Sequence, residues 1–148
     1  MRFLLDVNVL IALLDPAHVQ HEDAHAWFGR EAKSCWASCP MTQNGVLRIM
    51  GHAQYPGAQG GPAAIAPLLA RMTEMPGHEF FPDDVSLLDA AKVDARRLLR
   101  SSRVTDLYLL ALAVAHHGCL ATLDARLDAD GVRGGAAGLH RIAPQRKG

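Results

Sequence analysis

The sequence predicts an α/β domain of three layers, with helices on both faces of a central, mostly parallel sheet. Short apolar runs at Arg2–Leu5, Cys35–Ser38, His78–Phe81, Cys119–Leu123 and Leu139–Ile142 alternate with helix-patterned segments. Strands that alternate with helices imply right-handed crossovers and parallel pairing. From Leu107 to Ala115 every residue is apolar apart from the Tyr108 hydroxyl, so this helix has no wet face and belongs inside. Two strands also end in an acid, Asp6 and Asp124, and a third acid, Asp106, stands where the apolar helix begins.

In order along the chain, the first strand runs into a helix through Val9–Leu14, which Asn8 is placed to cap. His21 to Lys33 has the spacing of an amphipathic helix, with Ala24, Trp27 and Phe28 inward and Glu22, Asp23, Arg30 and Glu31 outward. Pro40 closes the second strand, Thr42 is the expected cap of a helix through Met50, and Gly51 to Pro62 is a glycine-rich loop containing Tyr55-Pro56-Gly57. A helix over Pro62–Met75 and the turn at Pro76-Gly77 precede the third strand, and a polar helix is predicted from about Ser86 to Ser101. Thr105 should cap the apolar helix, leaving Asp106 in its first turn, where free N–H groups favour an ionised carboxylate. Gly118 should stop it. A loose stretch over Gly131–Gly138 leads to the edge strand, so one domain spans 1–143 and residues 144–148 form a disordered basic tail.

Composition narrows the class. At 148 residues and 49% hydrophobic content, the chain can bury a core without staples. The 15 basic and 15 acidic residues cancel, so a nucleic-acid partner must meet a local patch. All but three of those 15 basic residues are arginine, which suits bidentate phosphate contacts. Cys35, Cys39 and Cys119 cannot all pair within the chain, which fits a reducing compartment. With no signal peptide and no apolar run long enough for a bilayer, the expected location is cytoplasmic and no membrane is implied.

The acids carry the chemistry. In an open parallel sheet, ligands gather beyond the carboxyl ends of the strands, so Asp6, Asp106 and Asp124 can share one pocket there. Acids beside apolar runs need partners. An all-carboxylate cluster suits Mg²⁺ or Mn²⁺ better than Zn²⁺, and such clusters serve phosphoryl chemistry through a metal-activated water. Taken singly, Asp106 is equally a helix-start acid and Asp124 a turn acid. The three together favour the metal reading.

LLDVNVLIALL, CPMTQNGVLRIM and VTDLYLLALAVAHHGCLATLDARL, in that order and spacing, resemble the PIN-domain ribonuclease toxins of bacterial VapBC toxin–antitoxin pairs. The resemblance implies a small α/β domain and Mg²⁺- or Mn²⁺-dependent cleavage of structured RNA such as transfer or ribosomal RNA. It also implies self-association as a homodimer or larger homo-oligomer, and neutralisation by a VapB-type antitoxin. It places the catalytic and metal-holding acids on Asp6, Asp106 and Asp124, with Asn8 and Thr122 as supporting residues. One position departs: the family usually has glutamate where Gln43 stands in Thr42-Gln43-Asn44-Gly45. Glutamine offers a carbonyl oxygen without charge, so a second ion should be held less tightly. Asp128, one turn beyond Asp124, is a candidate substitute. The expectation is a working but metal-hungry nuclease, and the alternative is a silent module that binds RNA or antitoxin.

Other readings remain at this level. His21-Glu22-Asp23-Ala24-His25 matches the H-E-x-x-H signature of zinc proteases, but no third ligand follows and Trp27 and Phe28 turn that helix inward. A phosphoaspartate domain would also use Asp6, but the expected lysine or Asp-x-Asp pair is missing. Arg96, Arg97, Arg100 and Arg103 precede Asp106 closely; Arg100 and Arg103 are candidates to grip RNA phosphate, or else the run is a solvated face. His116 and His117 are placed to interact with a helix C-terminus.

Overall fold

The computed structural model describes residues 1–145, so the expected disordered tail falls largely outside the described residues. The strands are β1 (Phe3–Leu5), β2 (Trp36–Ser38), β3 (His78–Phe80), β4 (Cys119–Thr122) and β5 (Leu139–Arg141). They form one sheet in the order β3-β2-β1-β4-β5, and every pairing is parallel. Helices α1 (Val7–Leu14), α2 (His21–Trp27), α3 (Pro40–Met50) and α4 (Pro62–Thr73) precede α5 (Val104–Ala115) and the short α6 (Gly135–Gly138).

Strand alternation divides the core in two. Leu5, Trp36 and Ala121 point into one cluster with α1 to α4, while Leu4, Ala37 and Leu120 point into the other with α5. Burying each large aliphatic side chain of α1 stabilises the fold by about 1.5–3 kcal/mol, and Val9, Leu10, Ile11 and Leu13 are all buried. Helix α5 is enclosed on most sides, as its composition predicts, with Leu107 and Leu109–Ala113 buried. No helix among the described residues is long and apolar enough to cross a membrane.

Several local expectations are corrected. The cap of α1 is Asp6, whose Oδ1 accepts from the Val7 N–H at 2.8 Å, and Asn8 lies inside the first turn. Helix α3 begins earlier than Thr42, at Pro40, because proline lacks the N–H that a first helical residue would leave unpaired. Thr42 serves instead three residues in, its Oγ1 accepting from the Cys39 N–H at 3.0 Å. The helix from His21 gives way after Trp27 to a π turn over Phe28–Ala32, closed by the Lys33 N–H donating to the Phe28 carbonyl at 2.8 Å.

No long helix forms over 86–101. Ser86 Oγ, Asp89 Oδ1 and Asp94 Oδ1 each accept from the backbone N–H two residues on, an arrangement that competes with helix hydrogen bonds. The segment bonds instead to the stretch predicted to be loose, through an isolated antiparallel bridge between Val93 and Val132. A 3₁₀ turn over Ser101–Arg103 runs directly into α5, so Arg103 and not Thr105 occupies the cap position. At the other end the left-handed residue is His117 (φ 60°), not Gly118. Gly118 is needed for close approach: a Cβ there would lie 2.5 Å from the Arg2 carbonyl oxygen.

Candidate active site

The register of β1 on β4 builds the site. Leu5 pairs with Ala121, and the Asp6 N–H donates to the Ala121 carbonyl at 2.9 Å, so the residues leaving the two strands emerge side by side at the carboxyl edge. Buried Thr122 ties them together. Its hydroxyl donates to Asp6 Oδ2 at 2.8 Å and accepts from the Asp124 N–H at 3.1 Å and from Asn8 Nδ2 at 3.4 Å. Asn8 Oδ1 in turn accepts from the Leu123 N–H at 3.3 Å. Asn8 and Thr122 thus orient the two strand-end acids. Gly45 lets α3 settle beside them, since a Cβ there would stand 2.6 Å from Val7 Cγ2.

Asp106 arrives from the first turn of α5. Asp6, Asn8, Asp106 and Asp124 line one cavity of about 340 Å³, together with Val7, Ile11, His18, Ile49 and Tyr55. Burial pushes the Asp6 carboxyl above its ordinary range, against the Thr122 and Val7 hydrogen bonds that favour its charge, and the nearby Asp106 and Asp124 push the same way. Asp106 is also raised, first by burial, with Arg103 opposing and Asp124 adding. Burial is the larger cause for both, the neighbouring acids add to it, and the cluster calls for positive charge. Arg103 supplies part of it: its Nη1 lies 3.4 Å from Asp106 Oδ2 and 3.5 Å from Asp124 Oδ2. As the side chains lie, no three His, Cys, Asp or Glu among the described residues are drawn up tightly enough to hold a metal ion. The donor set nevertheless fits a hard divalent cation, because every donor is a carboxylate oxygen and a guanidinium already stands between two of them.

Asp106 also borders a second cleft, of about 430 Å³, with Arg97, Arg100, Arg103, Arg126, Asp128 and Asp130 on its walls. Arg103 thus stands against Asp106 and Asp124, and Arg100 lines the cleft that Asp106 borders. Arg126 is an addition that sequence reasoning missed, although its place two residues after Asp124 was a usable signal. Asp128 faces this cleft and does not line the cavity of the three acids. Gln43 is elsewhere too: its Nε2 donates to Ser38 Oγ at 3.0 Å, and it borders a separate shallow cavity against α4. His18 and Tyr55 on the acid cavity were also missed.

The H-E-x-x-H pair is built differently. His21 Nδ1 contacts the Ala12 carbonyl at 2.7 Å and His25 Nε2 the Leu13 carbonyl at 3.0 Å, so both rings fasten α2 to the end of α1. His116 Nε2 lies 2.9 Å from Asp84 Oδ1 while its ring stacks on Phe81, so its partner is a side chain rather than the helix end. Cys35, Cys39 and Cys119 are free thiols.

Comparison with known proteins gives the family. The family model described as "PIN domain" matches residues 3–130, and the chain belongs to that family. Within it, the chain is a member of the VapC group. It is 51% identical over 124 residues to Ribonuclease VapC44 of Mycobacterium tuberculosis, covering 84% of this chain and 87% of the relative. Ribonuclease VapC39 of the same organism is 42% identical over 127 residues, covering 86% and 91%. Among solved structures, VapBC2 from Rickettsia felis bound to a DNA fragment from their promoter superposes with a TM-score of 0.53 at 10% identity, covering 85% of this chain and 90% of that one. That likeness supports the fold.

Proposed function

We propose that this protein is the toxin of a type II toxin–antitoxin pair, a divalent-metal-dependent endoribonuclease that cuts structured RNA, transfer or ribosomal, in the cytoplasm. The observation that carries the reading is the convergence of Asp6, Asp106 and Asp124 on one cavity beside an arginine-walled cleft. The ribonuclease names of its relatives support it.

Asp6, Asp106 and Asp124 would hold Mg²⁺ or Mn²⁺, which when bound lowers the pKa of a coordinated water and stabilises charge on the phosphate. The chain's own part is orientation. Thr122 and the Val7 N–H aim the two oxygens of Asp6, and Asn8 fixes Thr122 in turn. Arg100 and Arg103, with Arg126, would take the phosphates on either side of the cut, guanidinium groups being matched to phosphate oxygens. A VapB-type antitoxin would neutralise the enzyme, and the chain would act as a homodimer or larger homo-oligomer, as its family membership suggests.

Induction of the gene should arrest growth, and Asp6→Ala should relieve the arrest. Purified protein should cut bacterial transfer or ribosomal RNA with Mn²⁺ and not with a chelator. Continued arrest with Asp6→Ala, or cleavage in chelator, would sink this reading. Gln43 favours a second one, a silent binding module, because it brings no charge and its amide is engaged by Ser38. No cleavage at high Mn²⁺ combined with activity in Gln43→Glu would select it.

A further inference from the structure

The acid cavity has a wall that phosphate chemistry does not require. Beside the carboxylates the cavity is lined by Val7, Ile11, Ile49 and Tyr55, an apolar surface where a phosphodiester gains nothing. His18 stands among them. Its Nδ1 accepts from the Gln20 N–H at 3.0 Å, which in the neutral ring puts the proton on Nε2. That N–H has no protein partner among the described residues. Tyr55 is equally fixed, its hydroxyl donating to Asp15 Oδ2 at 2.5 Å, and the Asp15 carbonyl accepts from the His18 N–H at 3.0 Å. Asp15 therefore holds both residues in place from two distant parts of the sequence, the end of α1 and the loop before α4.

We propose that His18 and Tyr55 form a nucleoside subsite next to the cut, in which the Tyr55 ring and Ile49 receive a base and the His18 Nε2–H donates to a ribose or phosphate oxygen. The proposal rests on the reading of the chain as an RNA-cutting enzyme. The two openings that meet at Asp106 then divide the work. The arginine cleft takes backbone charge, and the apolar wall takes a base whose flat face stacks on an aromatic ring. His18 and Tyr55 are positioning residues: they determine which nucleotide rests beside the acids and how firmly.

The discriminating variants separate this role from a structural one. His18→Asn keeps an acceptor for the Gln20 N–H and deletes the Nε2 donor; Tyr55→Phe keeps the ring, and Tyr55→Leu removes it. The probe is fluorescently labelled bacterial transfer RNA, followed by anisotropy with Ca²⁺ present and by steady-state cleavage with Mn²⁺. His18→Asn should weaken binding and raise KM by about three- to tenfold with kcat little changed. Tyr55→Leu should weaken binding by roughly fivefold or more, and Tyr55→Phe, which keeps the ring but loses the Asp15 bond, by less. Melting temperatures of His18→Asn should match the parent, excluding simple unfolding. If the parent binds and cuts RNA while His18→Asn and Tyr55→Leu do so equally well, the subsite is wrong and the nuclease reading survives. If the parent neither binds nor cuts, both fall together.

Discussion

Two places in this molecule gather metal-ligand residues, and they differ in what their lone pairs are doing. At the end of α2, His21 and His25 have the spacing of a zinc motif, but each ring has a nitrogen bonded to a carbonyl at the end of α1. At the carboxyl edge of the sheet, Asp6, Asp106 and Asp124 come from segments a hundred residues or more apart for the first and the others, and their carboxylates, which keep lone pairs beyond their bonds to Val7, Thr122 and Arg103, line one cavity. Spacing within one helix proves a poor guide to a ligand site. Convergence on a cavity, with charge left uncompensated, is a better one.

The contrast can be broken most sharply at Asp6. Asp6→Asn should retain the α1 cap and the folded state, yet lower Mn²⁺-dependent RNA cleavage by about 100-fold or more, because one ligand's worth of charge stabilisation is gone. Retained activity would place the chemistry elsewhere. Thr122→Val, which removes the hydroxyl that aims Asp6, should cost roughly 10- to 100-fold in Mn²⁺ affinity or cleavage while the chain still folds. Calorimetric titration with Mn²⁺ would test it.

On the histidine side the expected loss is of stability alone. His21→Ala and His25→Ala should each lower unfolding free energy by about 1 kcal/mol, the net worth of one hydrogen bond to an α1 carbonyl, without changing Mn²⁺ affinity. Denaturant unfolding with a parallel metal titration would show it, and a lost Zn²⁺ site would revive the protease reading. Arg103→Ala should tighten Mn²⁺ binding a few-fold, since its guanidinium competes for the space between Asp106 and Asp124, while weakening RNA binding.

The smallest effect is at Tyr55, a group already engaged. Burial, and then Asp15, push its phenol up to about 12. Because that value lies above the unfolded one of 10.0, the contribution to stability is complete below about pH 10 and is lost as pH rises through about 12. Ultraviolet titration should find Tyr55 un-ionised at pH 10. Tyrosinate forming at the ordinary value would mean that the contact with Asp15 is absent in solution.

Much of the frame was legible because its signals are local and strong. An apolar run such as Leu107–Ala115 has one physical solution, and acids at strand ends in a parallel sheet have one edge to occupy. Helix starts were harder: Asn8, Thr42 and Thr105 were all plausible caps, but Asp6, Cys39 and Arg103 took the positions. The 86–101 segment failed because Ser86, Asp89 and Asp94 turn the backbone locally, and the bridge to Val132 depends on a contact no window of sequence contains. For the same reason His18 and Tyr55 were invisible: what joins them to each other is Asp15, forty residues from Tyr55.

Strand β1 lies between β2 and β4, and only the second of these brings Thr122 and Asp124 to Asp6. A ribosome therefore delivers Asp6 well before Asp106 and Asp124. Until Cys119–Thr122 has emerged and zipped onto the opening strand, the half-made polypeptide has no assembled centre. A fragment that lacks β4 leaves Asp6 without Thr122 and Asp124 beside it.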